Sequence, residues 1–123
     1  MVNTHLIGQF GEELACDYLA INKLKIVARN YRTRFGEIDI IAWDGKQFVF
    51  IEVKAKNTSN FGKPYEMVTE RKKKKIVATA KSYLLDHGHD LETQDWRIDI
   101  VSIDYENSKV EWLKNAVEDN GKI

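Results

Sequence analysis

A chain of 123 residues is the length of one domain, long enough to bury roughly two-thirds of its unfolded surface. Its 43% apolar and 31% charged residues describe a water-soluble globular protein, and no apolar run approaches the roughly 20 residues of a membrane span. Nineteen basic residues balance nineteen acidic ones, which excludes a generally basic nucleic-acid coat and leaves only a local patch for such contacts.

The first residues, MVNTHLIGQFGEE, lack the basic region, long apolar core and cleavage site of a signal peptide. Spacings of three and four predict a helix over about Thr4–Ile21, with Ile7, Phe10, Leu14, Tyr18 and Ile21 as its apolar stripe. Gly8 and Gly11 weaken that helix by about 1 kcal/mol each against alanine. They suit either a close backbone approach or a later helix start. Glu12 shares a stripe with Ala15, Cys16 and Leu19, whereas Glu13 falls with Asp17 and Ala20. Glu12 is therefore the acid expected to point inward; two solvated acids are the plainer alternative. Cys16, the lone cysteine, forms no internal disulfide, reads as a small buried hydrophobe, and fits a reducing cytoplasm.

A short strand follows at Lys25–Asn30. Next come EIDIIAW and QFVFIEVKA, rich in β-branched and aromatic residues, with Asp44-Gly45 between them as a hairpin signal. Phe48, Phe50, Glu52 and Lys54 share one strand face, and Val49, Ile51 and Val53 share the other. A two- or four-residue loop sets the parity that brings Asp39 to the face of Glu52. A polar loop, AKNTSNFGKPYE, leads to a second helix over about Thr69–His87, with Ile76, Val77, Ala80, Tyr83 and Leu84 as its buried stripe. Strands are expected at Trp96–Asp104 and Lys109–Lys114, with a frayed tail from about residue 115. The order α-β-β-β-α-β-β predicts an α/β fold, a central mixed sheet flanked by helices in a single domain.

Three charges then crowd the end of an apolar hairpin, and burying them is costly unless something offsets it. A divalent cation held by Asp39 and Glu52, with Lys54 beside it, would do so. Mg²⁺, or Mn²⁺ in its place, prefers oxygen ligands and keeps several waters, which suits phosphodiester hydrolysis. Lys54 would orient a water or stabilise developing negative charge, and Glu12 would add a ligand directly or through water. The bland alternative is a structural ion pair between Glu52 and Lys54.

The basic run Arg71–Lys75, with Lys72 and Lys73 at its centre, opens the second helix, where cations oppose the macrodipole. That unfavourable choice supports phosphate binding, and Arg29, Arg32, Arg34, Lys54, Lys56 and Lys63 would extend the patch. A solvated helix end is the alternative. Contacts of this type position a strand without reading its sequence, so binding is expected to be structure-selective and steeply salt-dependent. Tyr31, Phe35, Phe61 and Tyr65 would stack on bases or pack against the core. His87-Gly88-His89 reads as an exposed loop in preference to a metal fragment.

Taken together, Gly8-x-x-Gly11-Glu12-x-x-Ala15, Arg29-Asn30-Tyr31-Arg32, Gly36-Glu37-Ile38-Asp39, Glu52-Val53-Lys54, Phe61-Gly62-x-Pro64, Val68-x-x-x-Lys72 and Arg97-x-Asp99 resemble the YraN-like uncharacterised family. That family belongs to the PD-(D/E)XK nuclease superfamily and is similar to archaeal Holliday-junction resolvases. The resemblance implies a restriction-endonuclease-like core, with Glu12, Asp39, Glu52 and Lys54 as the active-site set. The family's substrate is not inherited with its fold; DNA is favoured over RNA as partner, and a homodimer is an analogy with the resolvases alone. The superfamily's proline has no counterpart, since Asp39 follows Ile38. A metal-dependent endonuclease is the expected function; a non-catalytic nucleic-acid- or partner-binding module on the same fold is the alternative.

Overall fold

The computed structural model describes residues 4–56, 69–107 and 109–117. Helix α1 spans Thr4–Ile21, followed by strands β1 (Lys25–Thr33), β2 (Gly36–Trp43) and β3 (Phe48–Lys56). Helix α2 (Glu70–Asp86) and strands β4 (Trp96–Asp104) and β5 (Lys109–Val117) complete the fold. The five strands form one sheet in the order β1-β2-β3-β4-β5. All neighbours are antiparallel except β3 and β4, whose parallel pairing follows from the crossover through α2. The expected mixed sheet and element order are therefore observed.

Each face of the sheet carries one helix, as the alternation of β3 requires. Phe48, Phe50, Ile98 and Ile100 pack with Ile76, Val77, Ala80 and Leu84 of α2. Val49, Ile51, Val101 and Ile103 pack with Ala15, Cys16 and Leu19 of α1. The α2 stripe is the one its spacing predicts, with Thr79 added. Thr69 caps α2, its hydroxyl accepting from the Lys72 N–H at 3.2 Å. No described helix is long and apolar enough to cross a membrane.

Two boundaries differ from expectation. Strand β1 runs on to Thr33, paired to Gly36 across a tight turn. Strand β5 runs on to Val117, so Asn115–Val117 are not a frayed tail; Val117 is buried in the α2-side core. Residues 118–123 lie outside the described part.

The buried face of α1 also differs. Phe10 is 57% exposed and Ile21 81% exposed, whereas Ala15 and Leu19 are wholly buried. The bulky stripe lies at the margin: Phe10 stacks on Tyr105, and Tyr18 meets the edge of Trp112. The face against the sheet is made of small residues because the helix lies close to β3. A Cβ on Gly11 would stand 2.9 Å from the Ala55 Cβ and 3.0 Å from the Tyr105 hydroxyl. Gly11→Val is thus expected to lower stability by about 1–3 kcal/mol through overpacking. An unchanged urea midpoint would show that α1 has room to spare there.

Candidate active site

The loop Asp44–Gln47 closes the central hairpin, its Asp44 carboxylate accepting from the N–H groups of Lys46 and Gln47. The β2–β3 ladder runs from Trp43 opposite Phe48 to Ile40 opposite Ile51 and stops there. Strand β3 continues beside β4 as far as Lys56 opposite Asp104. Strands β2 and β3 therefore part just where Asp39 would stand opposite Glu52. Both Ile38 and Ile41 belong to the α2-side core, so the alternation of β2 breaks across Asp39. The Asp39 carboxylate accepts the Val53 N–H at 2.8 Å, taking the place of a ladder carbonyl. This gap in the ladder turns a strand end into a site.

The start of α2 covers the gap on one face. A cleft of about 540 Å³ results, with Gly36, Glu37, Asp39 and Glu52 on the sheet side and Thr69, Arg71, Lys72 and Lys75 on the helix side. Gly36 allows this closeness: a Cβ there would meet the Thr79 hydroxyl at 3.2 Å and the Lys75 Cβ at 3.4 Å.

Glu52, 6% exposed, is the hub of the charges. Its Oε1 lies 3.0 Å from Lys72 Nζ and 3.6 Å from Lys54 Nζ. Asp39 is pushed up from 3.8 to about 7, first by burial and then by the charge of Glu52; the Val53 N–H opposes the shift. Lys54 is lowered, by burial first and then by the neighbouring Lys72 ammonium, against the pull of Glu52. Lys72 is raised: burial works against its charge, but the charge of Glu52 and the hydrogen bond donated to it outweigh that.

The expected set is thus brought together unevenly. Asp39, Glu52 and Lys54 meet at one end of the sheet. Glu12 is half-buried on α1, and its charge reaches Asp39, adding to the upward shift after burial and Glu52. Among the described residues no three His, Cys, Asp or Glu side chains converge as a metal cage. Glu13 is exposed and ion-paired to Arg29 at 2.9 Å.

Lys72 was expected to face nucleic acid, and its partner in the structure is Glu52. The signal was present in its position: three residues after the Thr69 cap, helices favour an acid. A cation there costs some 0.3–1 kcal/mol against the helix dipole, which the buried Glu52 offsets. The remaining basic residues scatter. Arg32 pairs with Glu37 at 3.4 Å, Lys73 with Glu70 at 3.2 Å, and the Arg34 guanidinium lies 4.9 Å from the Phe35 ring centre. Lys56 ends β3. Lys63, Phe61-Gly62-x-Pro64, Tyr65 and Val68 lie outside the described residues.

Other motif residues serve the fold. Asp99 is wholly buried and accepts from Arg97 Nε at 3.1 and 3.2 Å, from Trp112 Nε1 at 2.8 Å and from the Asn115 N–H at 2.8 Å. It thereby fastens the register shift between β4 and β5. Tyr31 packs edge-on against Tyr83. His87 stacks on Tyr83 and His89 packs on Phe48, as aromatic packing. Trp43 and Trp96 pack against the α2-side core and Trp112 against the other, and Cys16 is buried, its thiol pushed up chiefly by burial.

This chain has close counterparts among known proteins. A UPF0102 protein of Aliivibrio fischeri (strain MJ11) is 40% identical over 115 residues, 94% of each chain. One from Legionella pneumophila (strain Corby) is 40% identical over 114 residues, covering 90% of this chain and 93% of its own. A third, from Vibrio cholerae, is 34% identical over 116 residues, covering 94% and 95%. The profile of the uncharacterised protein family UPF0102 matches residues 11–103, the span from the helix–sheet contact at Gly11 to the end of the buried β4 core. With Asp39, Glu52, Lys54, Lys72 and Asp99 all inside that span, the chain belongs to the uncharacterised protein family UPF0102.

Proposed function

We propose that this protein is a divalent-metal-dependent nuclease that hydrolyses phosphodiester bonds, with branched or junction-like DNA as the substrate class. The carrying observation is the parting of β2 and β3, which sets Asp39 and Glu52 side by side in a cleft whose opposite wall is cationic. The resemblance of the Gly36–Asp39 and Glu52–Lys54 segments to PD-(D/E)XK nucleases supports the same reading.

The residues fit a hard cation. Burial and Glu52 hold the Asp39 carboxyl far above its usual range, a repulsion that a dication between the two acids would relieve. Asp39 and Glu52 would hold it, with Glu12 near enough to add negative charge. Mg²⁺ or Mn²⁺ bound there supplies acidification of water and neutralisation of a phosphoryl oxygen. The chain does the rest. The Val53 N–H orients Asp39, and Lys54 offers a half-buried donor for an anionic oxygen. Arg71 and Lys75 line the cleft where flanking phosphates would lie. These are backbone contacts and carry no base readout, which favours shape over sequence as the basis of selection. Two scissile strands at a junction call for two sites, so the working unit proposed is a homodimer.

One observation favours a second reading. Glu52 already carries two ammonium contacts, so the cluster is partly neutralised without a cation, as in a binding module that has no turnover. Purified protein should be incubated with Mg²⁺ or Mn²⁺ and labelled single-stranded, duplex, flap and four-way-junction substrates. Metal-dependent cuts in the branched substrates, absent in Glu52→Gln and Lys54→Ala, are expected. Tight binding with no cut under any condition would replace the nuclease by the binding module.

A further inference from the structure

Lys72 stands apart from its neighbours in the basic run. It reaches from the first turn of α2 across the cleft to Glu52, and its side chain is 41% exposed while that of Lys54 is 19% exposed. Both ammonium groups approach the same oxygen, Oε1, and Lys72 is the nearer at 3.0 Å. Lys54 is attached to the strand that carries Glu52, two residues on, so it stays beside that carboxylate whatever enters. Lys72 is attached to a different element by a flexible four-carbon stem and can turn away. Arg71 and Lys75, which line the same cleft, bound the cationic space it would turn into.

We propose that Lys72 is a displaceable counter-ion. It neutralises Glu52 while the acids hold no cation, and it is released to a phosphate of the substrate when a divalent cation takes that carboxylate. Cation binding and nucleic-acid binding are then coupled through one side chain, and by linkage each strengthens the other. The inference rests on the nuclease reading of the site and names the residue that would tie its two ligands together. It also explains why a lysine occupies a helix position that favours an acid: the buried carboxylate holds it in one state and the phosphodiester in the other.

The test reads salt dependence of binding, with Ca²⁺ as a non-cleaving divalent ion and a fluorescent four-way DNA junction as probe. Wild type and Lys72→Met are compared in EDTA and in saturating Ca²⁺. In EDTA the two slopes of log affinity against log salt should agree, because Lys72 is occupied by Glu52. In Ca²⁺ the wild-type slope should be steeper by about one, the mark of one extra phosphate contact. Lys72→Arg should keep that Ca²⁺-dependent difference. Calorimetry with Ca²⁺ alone should show about fivefold tighter binding to Lys72→Met, since its competitor for Glu52 is gone. Lys75→Met, on the same wall, marks an ordinary phosphate contact by lowering the slope in both conditions. If Lys72→Met behaved like Lys75→Met, or changed neither slope, the exchange would be overturned while the nuclease reading stood. If wild type took up neither Ca²⁺ nor Mg²⁺ in the calorimeter, the nuclease reading itself would fall.

Discussion

On the proposed nuclease reading, Asp39→Asn should abolish metal-dependent cleavage and, in the absence of divalent ions, make the protein more stable. The first effect is the loss of a ligand charge. Changing a residue that only orients a metal's ligands costs about 10–100-fold, so removing one of the two acids is expected to cost on the order of a thousandfold or more. The second follows from the buried carboxyl. In the unfolded chain this group releases its proton near 3.8, but in the fold it holds the proton up to about 7. Between those values the folded state binds more protons, so this group's contribution makes stability fall as pH rises through the window. The full shift would amount to about 4 kcal/mol at 1.36 kcal/mol per unit; with partial exposure, ~2 kcal/mol is the expected size. Asparagine carries no such charge and keeps an oxygen for the Val53 N–H. The cation-free variant should therefore melt several degrees above wild type at pH 7.5 and lose that advantage near pH 4. Adding Mg²⁺ should raise the melting temperature of wild type and leave the variant unmoved. A variant that melts below wild type at neutral pH without metal would show that Asp39 is held by attractive contacts and is not waiting for a cation.

The largest stability effect is expected at the other end of β4. Asp99→Ala removes a wholly buried carboxylate and leaves Arg97 Nε, Trp112 Nε1 and the Asn115 N–H without the acceptor they share. Breaking a buried, hydrogen-bonded charge pair by deleting one partner costs about 3–5 kcal/mol. For a domain of this length that lowers the melting temperature by about 10–20 °C. Arg97 keeps Asp44 at 3.5 Å, so the loss should stop short of the sum of every contact. Whatever remains folded should still bind Ca²⁺ in the calorimeter, because Asp99 takes no part in the cleft. A shift under about 3 °C would mean that β5 is held by apolar packing alone. The expected contrast is sharp: one aspartate whose loss stabilises the empty fold, and one whose loss unravels it.

The same contrast shows which features are local. Period-2 alternation in β2 and β3 and the turn between them set the register as far as Ile40 opposite Ile51, one residue short of Asp39, because strand parity is arithmetic along the chain until the ladder ends. The α2 stripe was equally plain, since its apolar residues are large and face a single surface. The buried face of α1 was not. Its bulky stripe is the stronger periodic signal, yet Gly11, Ala15 and Cys16 face the sheet, because how closely a helix approaches is set by what stands opposite it.

Lys72 and Asp99 carry this furthest. Within Arg71–Lys75 every residue is cationic, and no local pattern says which of them meets Glu52; that depends on the angle at which α2 crosses the end of the sheet. Asp99 was recognisable as part of a motif, but its partners Trp112 and Asn115 arrive through a register shift in β5 that no spacing predicts. The amino-acid order by itself determined the elements, the sheet class and the register of the central hairpin, because these follow from side-chain periodicity and turn length. Only the tertiary structure decided that the acids stand where two strands separate, that a helix-borne lysine neutralises one of them, and that another buried aspartate is a fastening. Those outcomes depend on the relative placement of elements distant in the chain, which packing sets and local periodicity does not encode.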